Sequence, residues 1–347
     1  MSKNPLNPEV DQIDMINWNN TRNKFALKAV HLAASLAAGI RSEMVTAALT
    51  KDDRSPVTVA DFAAQAVIGY LVDQYFPGEV LVGEEGSEVL RSTQEQATLQ
   101  KVAGFVNRVV PGATPAQVCD LIDRGGDEPG GSYWTLDPID GTKGFLRGAQ
   151  YATALAYVED GQVQLGVLGC PNLSPGLEET SAGEGSLLLA CRGAGSWIAR
   201  MQDFDQPGEF SRLRVSDERD PEMARLLRSF ESSHTDGEIV DAFRVEFGAR
   251  ADPVRMDSQV KYALLASGKG EIYLRLLSPD KLDYKEKIWD QAAGSIIVEE
   301  AGGTVTDLDG KALDFSLGRT LKGNRGICAS NGRFHDRALA ALKRVKA

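Results

Sequence analysis

The chain has 347 residues, 42% hydrophobic and 25% charged, enough for one large or two ordinary domains whose core needs no disulfide or metal staple. Its formal net charge of −11 excludes general docking on nucleic acid or on an anionic membrane. Four scattered cysteines and three histidines exclude a C-x-x-C redox pair and an H-E-x-x-H zinc site.

The first segment, MSKNPLNPEVDQ, is polar and acidic, unlike a targeting peptide, and with unpaired cysteines the chain reads as cytoplasmic. Residues 18–49 predict a long helix, with Phe25, Leu32, Leu36 and Ile40 at helical spacing. A polar loop covers 51–56. A second helix runs from about Asp61 to Tyr75 and is stopped by Pro77-Gly78. Val80-Leu81-Val82 is a short strand leading into Gly83-Glu84-Glu85. Thr114-Pro115 reads as a helix cap followed by Pro at the first helical position. Hairpins are expected at 152–158 with 162–169, and at 186–191 with 196–199. The polar stretch 201–210 marks a boundary, so residues 1–207 form an α+β domain and 208–347 an α/β domain. In the second part, strands are expected at 212–215, 228–231, 272–276, 304–306 and 326–329. Helices are expected at 221–227, 237–247, 258–267, from Asp290 onward, and at 333–345 behind Asn331.

Charge follows the same division. Residues 1–207 hold 15 Lys and Arg against 26 Asp and Glu, and residues 208–347 hold 23 against 23. Either the first part has an acidic solvated surface, or it carries a carboxylate-rich cation site facing a neutral second part.

The run Trp134 to Phe145, W-T-L-D-P-I-D-G-T-K-G-F, favours the second reading. An apolar strand end delivers Asp137, Pro138 should end the sheet pairing, and Asp140 follows. Two carboxylates on such a turn, with the Ile139 carbonyl between them, suit a hard divalent cation. Taken alone, D-x-x-D-G reads more readily as an Asx turn capping the next segment. Glu84 and Glu85 after a strand, and Asp290 before the apolar run 292–298, add further carboxylates. An isolated Asp at a helix start reads as a cap.

Together these motifs carry a resemblance. D-P-I-D-G-T at 137–142, G-E-E at 83–85 and W-D-x-A-A-G at 289–294 resemble the Mg-dependent, lithium-sensitive phosphatase superfamily of inositol monophosphatases and fructose bisphosphatases. Ser55-Pro-Val-Thr58 with Asp61, T-L-D-P-I-D-G-T-K-G-F-L-R at 135–147 and D-S-Q-V-K-Y at 257–262 are similar to the 3′(2′),5′-bisphosphate nucleotidases in particular. So are E-K-I-W-D at 286–290 and G-R-T-L at 318–321. The resemblance runs from about residue 20 to 330 and implies a layered α-β-α-β-α sandwich.

It also implies roles. Glu84, Asp137, the Ile139 carbonyl, Asp140 and Asp290 would hold two or three Mg²⁺ ions. Asp53, with Asp52 as neighbouring candidate, would act with Thr142 to orient and deprotonate the attacking water. N–H groups of Gly141 and Thr142 would hold phosphate oxygens. Ser258, Lys261 and Arg275 would take the other phosphate, although by composition alone Lys261 and Arg275 read as ordinary solvated charge. His234 would lie near the adenine, or be a surface histidine. Trp289 reads as a packing anchor. The implied reaction removes the 3′-phosphate of 3′-phosphoadenosine 5′-phosphate, extends to 3′-phosphoadenosine 5′-phosphosulfate, and is inhibited by Li⁺. The implied partner is a small nucleotide bisphosphate, with no nucleic acid, membrane or obligate protein partner. The rival readings are an inositol polyphosphate 1-phosphatase-like activity and a non-catalytic nucleotide sensor. Two departures stand out: Gln291, where the family commonly has His, and a slightly longer segment at 276–284.

Overall fold

In a computed structural model, the structure describes residues 16–47, 55–178, 184–230, 237–277 and 283–347. Asp52, Asp53, His234 and part of the 276–284 segment lie outside the described residues.

The chain opens with α1 (Thr21–Ala47) and α2 (Ser55–Tyr75), then β1 (Val80–Gly83), α3 (Gln96–Val106) and α4 (Pro115–Asp123). Next come β2 (Ser132–Asp140), α5 (Thr142–Arg147), β3 (Ala152–Glu159), β4 (Gln162–Cys170), β5 (Ser186–Cys191), β6 (Gly195–Arg200) and β7 (Ser211–Arg212). The remainder is β8 (Leu226–Arg228), α6 (Gly237–Phe247), β9 (Val254–Arg255), α7 (Val260–Ala266), β10 (Ile272–Arg275), α8 (Ala292–Glu300), β11 (Thr304–Thr306), β12 (Ile327–Ser330) and α9 (His335–Val345).

Two sheets result. Among the described residues β1 to β7 form one in sequential order, and β11-β12-β10-β8-β9 form the other. Period-two alternation assigns each sheet face to a different core. Trp134, Leu136, Leu155 and Tyr157 face α1 to α4. Tyr133, Ala154, Ala156 and Val158 face the opposite way, onto Tyr262, Ile296 and Ile297 of α7 and α8. The second sheet closes that middle core with Leu227, Tyr273 and Ala329. Its far face, with Leu226, Ile272, Leu274 and Cys328, packs on α6 and α9. The layers are therefore helix, sheet, helix, sheet, helix, as expected. Gly294 of the W-D-x-A-A-G run serves this packing: a Cβ there would stand 2.0 Å from the Tyr262 ring.

Several local expectations are corrected. Helix α2 starts at Ser55, not near Asp61, because Pro56 in a first helical turn forfeits no hydrogen bond. The expected helix at 221–227 is a single 3-10 turn, Pro221–Met223, followed by β8. There the Asp220 carboxylate accepts from Glu222 N–H at 3.0 Å, and Leu226 and Leu227 point into different cores, which is strand behaviour. The strand expected at 212–215 is the two-residue β7, which adds to the first sheet beside β6. Pro138 does not end the pairing. Strand β2 continues to Asp140 through a bulge, with Asp137 opposite Ala154 and Asp140 opposite Ala152, while Thr153 Oγ1 donates to the Pro138 carbonyl at 2.9 Å.

Candidate active site

The bulged end of β2 opens into a cavity of about 860 Å³. Glu84, Asp137, Ile139, Asp140, Gly141 and Thr142 line it from the first part of the chain. Ser258, Lys261, Arg275 and Asp290 line it from the second. Each candidate residue within the described regions therefore reaches one space.

The acidic group is built from strand termini. Strand β1 pairs in parallel with β2, placing Gly83 beside Leu136, so Glu84 leaves its strand next to Asp137. Asp137 is 2% exposed, and its Oδ1 has no hydrogen-bond partner. Burial pushes the Asp137 carboxyl well above its ordinary pKa, and Glu84, Asp140, Asp290 and Asp61 push it further. Burial, then Glu85 and Asp140, raise Glu84 to about 7. Asp290 is raised by burial and by Asp140. The N-terminal cap position of α8 falls on Gln291, without a side-chain cap bond, so Asp290 is not spent as the helix cap.

Among the described residues no three His, Cys, Asp or Glu side chains form a ready-made metal cage. The donor chemistry nevertheless fits Mg²⁺. An orphaned carboxylate oxygen surrounded by other carboxylates calls for a cation or protons. Mg²⁺ keeps several waters and takes only a few protein oxygens alongside substrate phosphate.

The same cavity also carries cations. Lys261 is 3% exposed, with Nζ 3.2 Å from Ser229 Oγ and 5.3 Å from the centre of the Tyr273 ring. Burial lowers its pKa to about 8, opposed by Asp140. Burial also works against the Arg275 charge, but Glu286, Tyr273 and Asp290 outweigh it. Arg275 Nη2 and Glu286 Oε2 are 2.9 Å apart. Gln291 Nε2 donates to that same Glu286 oxygen at 2.9 Å, and Tyr262 Oη donates to Gln291 Oε1 at 2.5 Å. The Gln at 291 thus sits in the shell that holds Arg275.

Tight backbone joins the two groups. Gly141 has φ 92°, and a Cβ on it would lie 2.8 Å from Ser258 Cβ. Ser258 itself has φ 60°, a left-handed conformation that non-glycine residues adopt at a cost.

Sequence reasoning missed Gln259, Asp257, Arg147 and Tyr273, all of which line the cavity. Arg147 Nη2 lies 2.5 Å from Asp257 Oδ2, joining α5 to the segment before α7. Arg147, Asp257 and Gln259 stand inside motifs quoted above, which were the only signal for them. Half-buried Asp61, outside the cavity lining, was also missed: its carboxyl is raised by desolvation and by Glu85 and Glu84.

The inositol monophosphatase family matches residues 18–347. The 3′(2′),5′-bisphosphate nucleotidase of Emericella nidulans is 40% identical over 342 residues, covering 91% of this chain and 96% of that protein. The enzyme of the same name from Oryza sativa is 41% identical, covering 92% of each. That from Schizosaccharomyces pombe is 37% identical, covering 94% and 96%. Among solved structures, the Thermotoga maritima IMPase TM1415 matches with a TM-score of 0.60 at 22% identity, covering 94% of this chain and 98% of that one. Mycobacterium tuberculosis SuhB matches at 0.59 and 21%, covering 92% and 94%.

Proposed function

The chain belongs to the inositol monophosphatase family, and on that premise we propose that it is a 3′(2′),5′-bisphosphate nucleotidase. It hydrolyses the 3′-phosphate of 3′-phosphoadenosine 5′-phosphate to give AMP and phosphate, and also accepts 3′-phosphoadenosine 5′-phosphosulfate. Its relatives' shared name supports the substrate. The observation that carries the reading is the mixed charge of the cavity: carboxylates and the cations Lys261 and Arg275 line one space. A nucleotide with two phosphates needs both, one for the reacting group and one for anchoring.

Glu84, Asp137, the Ile139 carbonyl, Asp140 and Asp290 would hold two or three Mg²⁺ ions. When bound, Mg²⁺ polarises the phosphate and lowers the pKa of the attacking water. We assign Asp53 and Thr142 to orienting the attacking water and taking its proton. Gly141 and Thr142 offer N–H groups to nonbridging oxygens. Ser258 and Lys261 bind the 5′-phosphate with Arg275, whose planar guanidinium suits two phosphate oxygens, and the adenine is assigned to His234. Li⁺ inhibits by competing for the same oxygens. Residues 1–207 supply the metal-holding residues other than Asp290, and 208–347 supply Asp290 and the anchoring cations. Among the described residues no helix is long and apolar enough to cross a membrane, and we place the enzyme in the cytoplasm.

The test is initial-rate phosphate release from the two adenosine nucleotides and from inositol phosphates, with Mg²⁺ and with EDTA. The expected result is the highest kcat/KM on 3′-phosphoadenosine 5′-phosphate and none with EDTA. Higher efficiency on an inositol phosphate would overturn the substrate, and activity in EDTA would overturn the metal.

A further inference from the structure

The G-R-T-L run at 318–321 has so far had no function, and its Arg319 makes an unusual set of contacts. The guanidinium donates to the carbonyls of Asp127 at 2.9 Å and Gly125 at 3.1 Å, and also to the carbonyl of Gly83. Gly83 is the residue before Glu84. The next residue, Glu85, is held from the other side: its N–H donates to Gln65 Oε1 at 3.0 Å, and its carbonyl accepts from Gln65 Nε2 at 2.6 Å. The backbone on both sides of Glu84 is therefore clamped, by Arg319 on one side and by Gln65 on the other.

Arg319 also grips the other part of the chain. Its guanidinium carbon lies 5.0 Å from the centre of the Trp289 ring, and its own carbonyl accepts from Ile288 N–H at 3.3 Å. Trp289 precedes Asp290. Glu84 and Asp290 line the same cavity, yet they stand on different parts of the chain. One side chain thus touches the backbone that carries Glu84 and the ring beside the backbone that carries Asp290. A planar group with five N–H donors can bond three carbonyls and still stack on an indole; an ammonium cannot do both.

We propose that Arg319 is a positioning residue that sets the spacing of Glu84 and Asp290 across the cavity, and so sets the affinity for Mg²⁺. The proposal rests on the reading of those two carboxylates as metal-holding residues. It concerns metal affinity and not the grip on the nucleotide, because Arg319 contacts neither Lys261 nor Arg275 by any of the bonds above.

The experiment compares the full-length chain with Arg319→Lys and Arg319→Gln, and with Tyr133→Phe as a control. Tyr133 Oη donates to the Phe315 carbonyl at 2.6 Å, so that variant loosens the same loop without touching Gly83 or Trp289. Mg²⁺ binding is read first without substrate, as the Mg²⁺ concentration that gives half the rise in Tm. Kinetics then give the Mg²⁺ half-saturation and the nucleotide KM. Loss of groups that orient metal ligands lowers affinity roughly 10–100-fold. The expected result is a rise of about 10-fold or more in both Mg²⁺ midpoints for the two Arg319 variants. The nucleotide KM at saturating Mg²⁺ should change by less than about threefold, and Tyr133→Phe should leave the midpoints where they were. Arg319→Lys keeps the charge and the stem, which preserves a measurable variant if Arg319→Gln does not fold. Unchanged Mg²⁺ midpoints in Arg319→Lys, or an equal shift in Tyr133→Phe, overturn the proposal. If the wild-type chain shows no Mg²⁺-dependent rise in Tm, the metal reading falls and the proposal falls with it.

Discussion

The backbone N–H of Gln259 donates to Oδ2 of Asp140 at 2.5 Å, so a residue from the second part of the chain holds a carboxylate from the first. The left-handed Ser258 turns that N–H toward the cavity. The Gln259 side chain completes the tie, with Nε2 donating to the Trp289 carbonyl at 3.1 Å and Oε1 accepting from Gly294 N–H at 3.1 Å.

Gln259→Ala leaves both of those backbone groups buried without their partner. Each such loss costs about 1–3 kcal/mol, so urea unfolding should report destabilisation of that order or more. The backbone bond to Asp140 survives the change, and kcat should fall less than stability suggests. A variant as stable as the wild type would show that the two bonds are replaced by others.

Asp137→Asn removes a buried charge whose Oδ1 has no partner. Without Mg²⁺ the variant should be at least as stable as the wild type, because one member of a mutually repelling set is gone. With Mg²⁺ it should lose the metal-dependent rise in Tm and more than about 100-fold in kcat/KM, beyond what loss of an orienting partner costs. Calorimetry with and without Mg²⁺, alongside phosphate release, checks both halves; retained turnover would remove Asp137 from the metal set.

Lys261→Met keeps the buried stem and discards the charge. Charged hydrogen bonds contribute about 1.5–3 kcal/mol, so KM for the bisphosphate should rise roughly 10- to 150-fold. A nucleotide carrying only the 3′-phosphate never used that contact and should be affected far less. Equal losses on both substrates would mean that Lys261 does not bind the second phosphate.

His335 is 6% exposed, with Nε2 2.9 Å from Thr306 Oγ1 and Nδ1 3.0 Å from Ser330 Oγ. Burial lowers its pKa below the ordinary 6.5. The unfolded chain therefore binds the proton first as pH falls, and stability drops as pH decreases below 6.5. Thermal unfolding at saturating Mg²⁺ between pH 7.5 and 5.5 should show this fall, and His335→Gln should flatten it. An unchanged slope in the variant would assign the fall to other groups.

Much of this was legible in the sequence for identifiable reasons. Gly161 and the Gly193–Gly195 run marked both hairpins, and the Thr114 cap with Pro115 marked α4. The site residues were legible because D-P-I-D-G-T and D-S-Q-V-K-Y each pack several of them into one run. The misses have a common cause. Leu226-Leu227 reads as helix or strand until two separate cores claim its two faces. Gln259, Arg147 and Arg319 act through bonds to residues 30 to 236 positions away, and no local period records such partners.

The bulge in β2 makes the spacing of its two aspartates a matter of parity. In a regular strand, side chains three positions apart point to opposite faces. Here three steps from Asp137 to Asp140 match only two from Ala154 to Ala152, and the extra residue brings both carboxylates to one cavity. Pairing the same three steps without the bulge would restore an unbroken ladder and turn the second carboxylate to the other face. The strand would be tidier and the cavity one ligand short, so it is the local irregularity that lets a spacing of three serve a single site.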